Sequence, residues 1–385
     1  MCESDGLEVS ERRFWHVRLL PWQMRAAEWE KKSMKYSVIV PVYNRPDEVD
    51  ELLDSLTRQT LRDFEVVVVE DGSTVACKEV CQRYEDKLEI RYFMKPNSGP
   101  GQSRNYGAER AQGEWLLVLD SDVVLPEGYI EAVDKELAEQ QCDAFGGPDT
   151  AHPSFTDTQK AISYSMTSFF TTGGIRGGKK KGPKLDKFFP RSFNMGIRRD
   201  VYHKLGGFSK MRFGEDIDFS YRIVEAGYAT RLFPTAWVWH KRRTDFRKFF
   251  RQVYNSGIAR INLEKRHPGT MKLVHMLPMV FTVGVTGLVL ISAVGRLLME
   301  YGPGDDPLHR FYWLCAAPWL PILFYSLIIF ADSLRVNRSV KIAAESILAA
   351  FVQLMGYGFG FLHAWWQRCV LRKDEFQAFE KTFYK

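Results

Sequence analysis

What most constrains this chain is a change of regime near residue 270. Up to about Pro268 charged and apolar residues alternate as in a water-soluble domain. Beyond Met271 come three apolar stretches, Leu273 to Met299, Phe311 to Ala331 and Ile342 to Trp366. A helix crossing a bilayer needs about 20 mostly apolar residues. The first stretch is interrupted only by His275 and Arg296, and the second carries no charge, so both predict spanning helices. The third contains Glu345, Gln353, Gly356, Gly358, Gly360 and His363, which leaves a span, a re-entrant segment and an interfacial helix all open. With 385 residues and a net charge of +6, there is room for one large soluble domain plus these additions.

The soluble part alternates strand and helix signals. Tyr36 to Val40, Phe64 to Val69, Leu88 to Phe93 and Trp115 to Leu119 read as strands. Pro46 to Thr60, with Val49, Leu52, Leu53 and Leu56 at helical spacing, Val75 to Tyr84 and the glycine-led Gly99 to Ala111 read as helices. This alternation predicts a parallel sheet with helices on both faces. Ligands of such sheets sit at the carboxyl ends of the strands. There the sequence places Pro41-Val42-Tyr43-Asn44, Glu70-Asp71-Gly72-Ser73 and Asp120-Ser121-Asp122. An extended backbone would turn Asp120 and Asp122 the same way, and two such carboxylates suit a hard divalent cation that also holds phosphates.

Thr171 to Lys187, rich in glycine and lysine, reads as a loop. Thr244 to Arg266 reads as a basic amphipathic helix. Its stripe comprises Phe246, Phe249, Phe250, Val253, Tyr254, Gly257, Ile258 and Ile261, and Lys241, Arg242, Arg243, Arg247, Lys248 and Arg251 crowd its start. Directly before membrane segments, it is expected to rest on an anionic lipid surface; a helix packed on its own domain with a solvated basic face is the other reading. Residues 1–33 hold no apolar run of signal length; they are expected to form a poorly ordered extension, with the soluble domain cytoplasmic. The scattered cysteines form no metal or disulfide framework, as in a reducing compartment. Three spans would put Arg368, Arg372 and Lys373 outside, against the positive-inside tendency. A third segment that does not cross removes that conflict.

The motifs, in order, resemble the family 2 glycosyltransferases of GT-A fold, a Rossmann-like α/β architecture. The resemblance rests on Ser37 to Arg45 (SVIVPVYNR), Val68 to Ser73 (VVEDGS), Gly99 to Asp122, Asn194 to Arg199 (NMGIRR), Gly206-Gly207-Phe208 and Gly214 to Asp218 (GEDID). It implies a catalytic domain over residues 34–243, the interfacial helix over 244–268, and a membrane region over 269–385 with two or three transmembrane helices and a basic tail. It implies donor contacts from Pro41, Tyr43, Asp71, Arg104 and Asp120. Asp120 and Asp122, joined by His240, would bind Mg²⁺ or Mn²⁺. Asp216 would be the base that takes the acceptor proton, supported by Glu215; an acidic pair that caps the following helix is the plainer reading of the same residues.

The implied function is an inverting, metal-dependent, hexosyltransferase-type transfer from a UDP- or GDP-linked sugar to a hydroxyl of a glycan, one that is lipid-linked. The setting would be the cytoplasmic face of the cell inner membrane, in polysaccharide synthesis, with no nucleic acid among the partners. The Gln-x-x-Arg-Trp string of processive synthases is missing between His240 and Arg266; Arg251-Gln252-Val253-Tyr254 stands there, which favours addition of a single sugar. Two alternatives remain: a polyprenyl-phosphate sugar synthase, whose ionised acceptor needs no base, and a non-catalytic scaffold of a polysaccharide assembly.

Overall fold

The computed structural model describes residues 34–152, 154–173, 188–241, 243–301 and 316–380. The expectations for residues 1–33, for Arg242 and for most of the lysine- and glycine-rich loop (174–187) lie outside the described residues.

The first half of the chain builds the expected alternation: β1 (Tyr36–Val42), α1 (Pro46–Thr57), β2 (Phe64–Asp71), α2 (Lys78–Gln82), β3 (Ile90–Lys95), α3 (Pro100–Arg110), β4 (Trp115–Leu119), β5 (Val123–Val124), α4 (Tyr129–Glu139), β6 (Ala144–Gly146) and β7 (Asp149–Thr150). Then come α5 (Asp157–Thr167), α6 (Phe169–Thr172), β8 (Asn194–Arg198), α7 (Arg199–Lys204), α8 (Glu215–Glu225), β9 (Thr230–Leu232) and β10 (Val238–His240). The main sheet has the order β3-β2-β1-β4-β8-β6-β9, and a small sheet joins β5, β10 and β7.

The main sheet is mixed, not parallel throughout as the alternation suggested: β8 runs antiparallel to both β4 and β6. The chain leaves β6 at the carboxyl edge and re-enters from that same edge after α5 and α6, so β8 can only run backwards. The alternation of side chains separates two cores. Val38, Val40, Val66 and Val68 pack with α1 and α4 on one face. Ile39, Leu116 and Val118 pack with α3, α7 and α8 on the other. A fully buried side chain of this size stabilises the fold by about 1.5–3 kcal/mol, so both faces hold the carboxyl edge rigid.

The remaining helices are α9 (Phe246–Arg266), α10 (Leu273–Tyr301), α11 (Leu320–Asn337), α12 (Val340–Trp365) and the short α13 (Glu375–Phe379). Three helical segments, Leu273–Leu297, Ala317–Asn337 and Val340–Val370, are long and apolar enough to cross a membrane.

Helix α9 departs from its expected role. Phe249, Val253, Ile258 and Ile261 of its apolar stripe are buried; the first two share a cluster with Ala161, Ile162 and Met166 of α5 and Ile342 and Ala349 of α12, the last two one with Phe361 and Ala364 of α12 and Phe379 of α13. These four residues face protein, while Phe250 of the same stripe stays exposed. Glycines make the approach possible. A Cβ on Gly257 would lie 2.1 Å from the Tyr357 carbonyl oxygen, and one on Gly360 would lie 1.9 Å from that of Tyr254. Small residues at a helix–helix contact let the two backbones approach closely.

Candidate active site

Three strand-end turns and one helix start converge at the carboxyl edge of the sheet. After β1, Asn44 has φ 54°; its Oδ1 accepts from the amides of Thr74 (2.8 Å) and Val75 (2.9 Å), and its own amide donates to Ser73 Oγ at 2.7 Å. These bonds tie the β1 turn to the β2 turn. Pro41 is buried within β1, in register with Val69, while Tyr43 stands half-exposed at the rim.

Asp71 is buried and already engaged. Its carboxylate pairs with Lys95 and accepts from the amides of Ser98 (2.9 Å) and Gly99 (2.8 Å). It thereby fixes the turn that leads into α3, and a nucleobase imide would have to share oxygens that hold this turn. Glu70 beside it accepts from Ser73, from the Cys77 amide and from the Tyr92 hydroxyl, which makes it a structural acid.

Asp120 and Asp122 sit in the turn between β4 and β5, where the Val123 amide reaches the Asp120 carbonyl at 3.3 Å. A turn, not the extended backbone expected, brings them together. The small sheet supplies the third group. Val123 pairs with His240 across the β5–β10 ladder, and the Lys241 amide donates to the Asp122 carbonyl at 3.0 Å. His240 Nε2 thus lies 3.2 Å from Asp122 Oδ1, with its ring stacked on Phe193 at 5.0 Å.

Burial alone would raise the Asp122 carboxyl. The hydrogen bond and charge of His240, with Arg243 and Arg45 nearby, outweigh it and hold the carboxyl down at about 2. One ligand atom from each of Asp120, Asp122 and His240 fits within 4.8 Å of the others. Two carboxylates and an imidazole within that reach fit a divalent cation such as Mg²⁺ or Mn²⁺, since hard ions take oxygen donors.

Arg104, expected to face a ligand from near the start of α3, is buried instead. Its guanidinium joins two acids from distant parts of the chain: Nη2 donates to Asp120 Oδ1 at 2.7 Å, and Nη1 lies 3.4 Å from Glu215 Oε1. It lies over the ring of Phe208, 5.1 Å from the centroid. The cation-site turn and the acidic pair are therefore one charge network.

Gly214 precedes α8 in the left-handed region (φ 87°) and packs against Ala259 and Leu263 of α9. That turn starts the helix with Glu215 and Asp216, where the helix dipole favours negative charge. The two acids are driven apart. Burial raises the Glu215 carboxyl above its usual range, against the pull of Arg104, and neighbouring Asp216 adds to the rise. Burial works the same way on Asp216, but the charge and 2.6 Å hydrogen bond of Arg191, with Arg104 behind it, bring that carboxyl below the usual range. Environments that split an adjacent acid pair are how sites separate the roles of two carboxyls. Arg191 was not singled out in the sequence; it is an isolated arginine just before β8, and only the fold brings it to Asp216.

A mixed sheet with polar turns gathered at its carboxyl edge defines an α/β protein built to receive a ligand there. Residues 37–206 match the model of glycosyl transferase family 2, so it is this segment, and not the chain as a whole, that is assigned as a family 2 glycosyltransferase domain of GT-A fold. The chain is 37% identical over 110 residues to glycosyltransferase GlyA of Streptococcus pneumoniae serotype 4, covering 28% of this chain and 16% of the relative. It is 44% identical over 93 residues to the poly(ribitol-phosphate) beta-N-acetylglucosaminyltransferase TarS of Staphylococcus aureus, covering 23% and 16%. These matches span less than a quarter of the length of the curated relatives. Among solved structures, the mannosyltransferase PcManGT of Pyrobaculum calidifontis, in complex with GDP-Man and Mn²⁺, shares the fold with a TM-score of 0.50 and 20% identity, over 86% of this chain and 93% of that one.

Proposed function

We propose that this protein transfers a sugar, with inversion, from a nucleotide-diphosphate sugar to a hydroxyl of a glycan acceptor carried on a membrane lipid. The observation that carries the reading is the Arg104 bridge, which sets the Asp120–Asp122–His240 group beside Glu215 and Asp216. The donor would lie over the turns after β1, β2 and β4. Tyr43 is an exposed aromatic group there, the Pro41 segment offers backbone to a base, and Asp71 holds the turn that such a base would meet. A divalent cation held by Asp120, Asp122 and His240 would neutralise the departing diphosphate.

Asp216 would accept the proton of the acceptor hydroxyl as the sugar is attacked from the opposite side, because an alcohol is a poor nucleophile until a base takes its proton. Arg191 keeps that carboxyl ionised and fixes its direction. Glu215, raised by burial, would serve as the acceptor contact. The membrane helices would hold the domain against the surface where lipid-linked acceptors diffuse, with the soluble domain in the cytoplasm.

The test is a donor screen by mass spectrometry on purified full-length protein, with membranes as acceptor source and added Mn²⁺. The reading expects a one-sugar mass increment on a glycan-bearing lipid and matched release of nucleoside diphosphate. A product on bare polyprenyl phosphate would make the chain a polyprenyl-phosphate sugar synthase. No turnover of any donor would point to the scaffold.

A further inference from the structure

We propose that Arg260, Lys272 and His275 bind the phosphate of a lipid-linked acceptor, at a distance from Asp216 that a glycan must bridge. This deepens the reading of Asp216 as the base toward such an acceptor and rests on it.

The cationic group forms where three helices meet. Arg260 of α9 reaches toward α8, its Nη1 3.5 Å from the Tyr221 hydroxyl. Lys272 stands just ahead of α10, and its amide donates to His275 Nδ1 at 3.0 Å. That bond puts the proton of a neutral imidazole on Nε2, where it is a donor. The charges of Arg260 and Lys272 both act on His275, so the three side chains are neighbours. The acid beside them is Glu264. Its carboxylate is engaged in the turn between α9 and α10, accepting from the amides of Gly269 (2.8 Å) and Met271 (2.7 Å).

Among the described residues neither Arg260 nor Lys272 has a carboxylate partner, and the buried Nε of Arg260 has no hydrogen-bond acceptor. A charge taken out of water is costly unless an opposite charge answers it. Two cations against one engaged carboxylate leave the group positive. Arginine and lysine are the side chains that hold phosphate, one as a planar fork and the other as a point charge.

The surroundings select a lipid as the source of that phosphate. The helix segment long and apolar enough to cross a membrane begins at Leu273, so a crossing by α10 sets Lys272 at headgroup level. Leu273, Leu277 and Val280 of its first turns are exposed and offer hydrocarbon contact beside the cations. In the other direction the surface leads to the acidic pair. The Phe189 ring stands 5.0 Å from that of Tyr221 and is exposed, and Arg191, two residues on, holds Asp216. Such rings offer apolar faces, and Tyr221 a polar tip, which suits the mixed surface of a sugar. Tyr221 lies five positions beyond Asp216 on α8, about 7.5 Å along its axis. A phosphate on Arg260 therefore leaves room for a glycan between itself and the reacting hydroxyl.

The experiment measures binding of a polyprenyl diphosphate to the full-length protein in detergent micelles, with EDTA present so that no divalent cation serves the Asp120–Asp122–His240 group. Arg260→Gln and Lys272→Gln are each expected to weaken binding about tenfold, the loss of one charge-assisted hydrogen bond. Mn²⁺-dependent binding of UDP should be unchanged in both, and Arg260→Lys should recover part of the loss. No binding by the parent, or binding by both glutamine variants equal to the parent's, would overturn the proposal. Inorganic diphosphate competing as well as the polyprenyl form would overturn it by making the site one for a free anion. Phosphatidylglycerol competing as well would reduce it to general surface charge. Should Arg260→Gln fail to fold, the exposed Lys272 carries the test. Asp216→Asn keeps the two readings apart: it should bind the polyprenyl diphosphate as the parent does. Transfer to a lipid-linked glycan with binding indifferent to Arg260 and Lys272 would remove this inference alone.

Discussion

The carboxyl edge of the sheet and the layer of long apolar helices both bury polar groups, and they satisfy them by different means. At the edge, charge answers charge: Arg104 between Asp120 and Glu215, Arg191 on Asp216, Lys95 on Asp71. In the helical layer the bonds among α10, α11 and α12 are largely neutral. Ser333 meets Ser346 at 2.7 Å, and Thr282 reaches the Pro278 and Leu354 carbonyls at 2.8 and 3.3 Å. Ions taken out of water cost several kcal/mol each unless well paired, so a layer of helices apolar enough to cross a membrane gains nothing from them. At the edge, the ions are the groups proposed to react. The contrast teaches that losses at the edge should appear in rate and binding, and losses in the layer in stability.

The sharpest way to break that contrast is Asp216→Asn. It should lower transfer by about 10²- to 10⁴-fold, the share of a positioned base, with donor binding and melting temperature little changed; wild-type turnover would remove Asp216 from the chemistry. Next comes Asp122→Ala. Calorimetry of UDP with and without Mn²⁺ should show the metal-dependent part of binding fall by more than the roughly 10- to 100-fold typical of losing an outer partner. Metal-dependent affinity equal to the parent's would sink the assignment.

In the helical layer, Gly257→Leu would drive a side chain into the Tyr357 carbonyl. Overpacking of this kind costs about 1–3 kcal/mol, read as a lower melting temperature in detergent, with kcat per folded molecule preserved. A truncation at Pro268 is a related probe. It would uncover the α9 stripe, so it should aggregate or bind vesicles through apolar contact that high salt does not release.

A subtler change is Arg191→Gln. Arg191 holds the Asp216 carboxyl low, so its loss lets that carboxyl protonate at higher pH. The acid limb of kcat/KM should therefore move upward in pH, and Arg191→Lys should restore part of the shift. An unmoved limb would leave Arg191 with no part in setting the charge of Asp216. The smallest effect is expected for Ser333→Ala, about 0.6 kcal/mol, the mean for hydrogen bonds within a membrane protein, measured by unfolding in mixed micelles.

The edge was largely legible in the sequence because its parts lie at strand ends, and strand ends announce themselves: an apolar run stops and Pro41, Asp71 or Asp120 follows. His240 was legible for the same reason, closing Trp237-Val238-Trp239. What could not be read was pairing across the fold. Arg104 and Glu215 are separated by 111 positions, and neither string hints that one guanidinium serves two acids. The reversal of β8 was hidden too, since a short strand carries no sign of its direction. The α9 stripe was visible, but its partner was not. Gly356, Gly358 and Gly360 were noted as breaks in an apolar stretch, whereas Gly360, together with Gly257, lets two backbones meet.

The shared guanidinium of Arg104 carries a kinetic consequence. One cation cannot follow two acids that move apart. A donor that draws Asp120 toward itself leaves Arg104 to Glu215 alone, so news of donor arrival reaches the acceptor side through a single side chain. Substrates should then bind in a compulsory order, donor first, seen as nucleoside diphosphate inhibiting competitively against the donor and noncompetitively against the acceptor. Arg104→Met should scramble that order and give random addition.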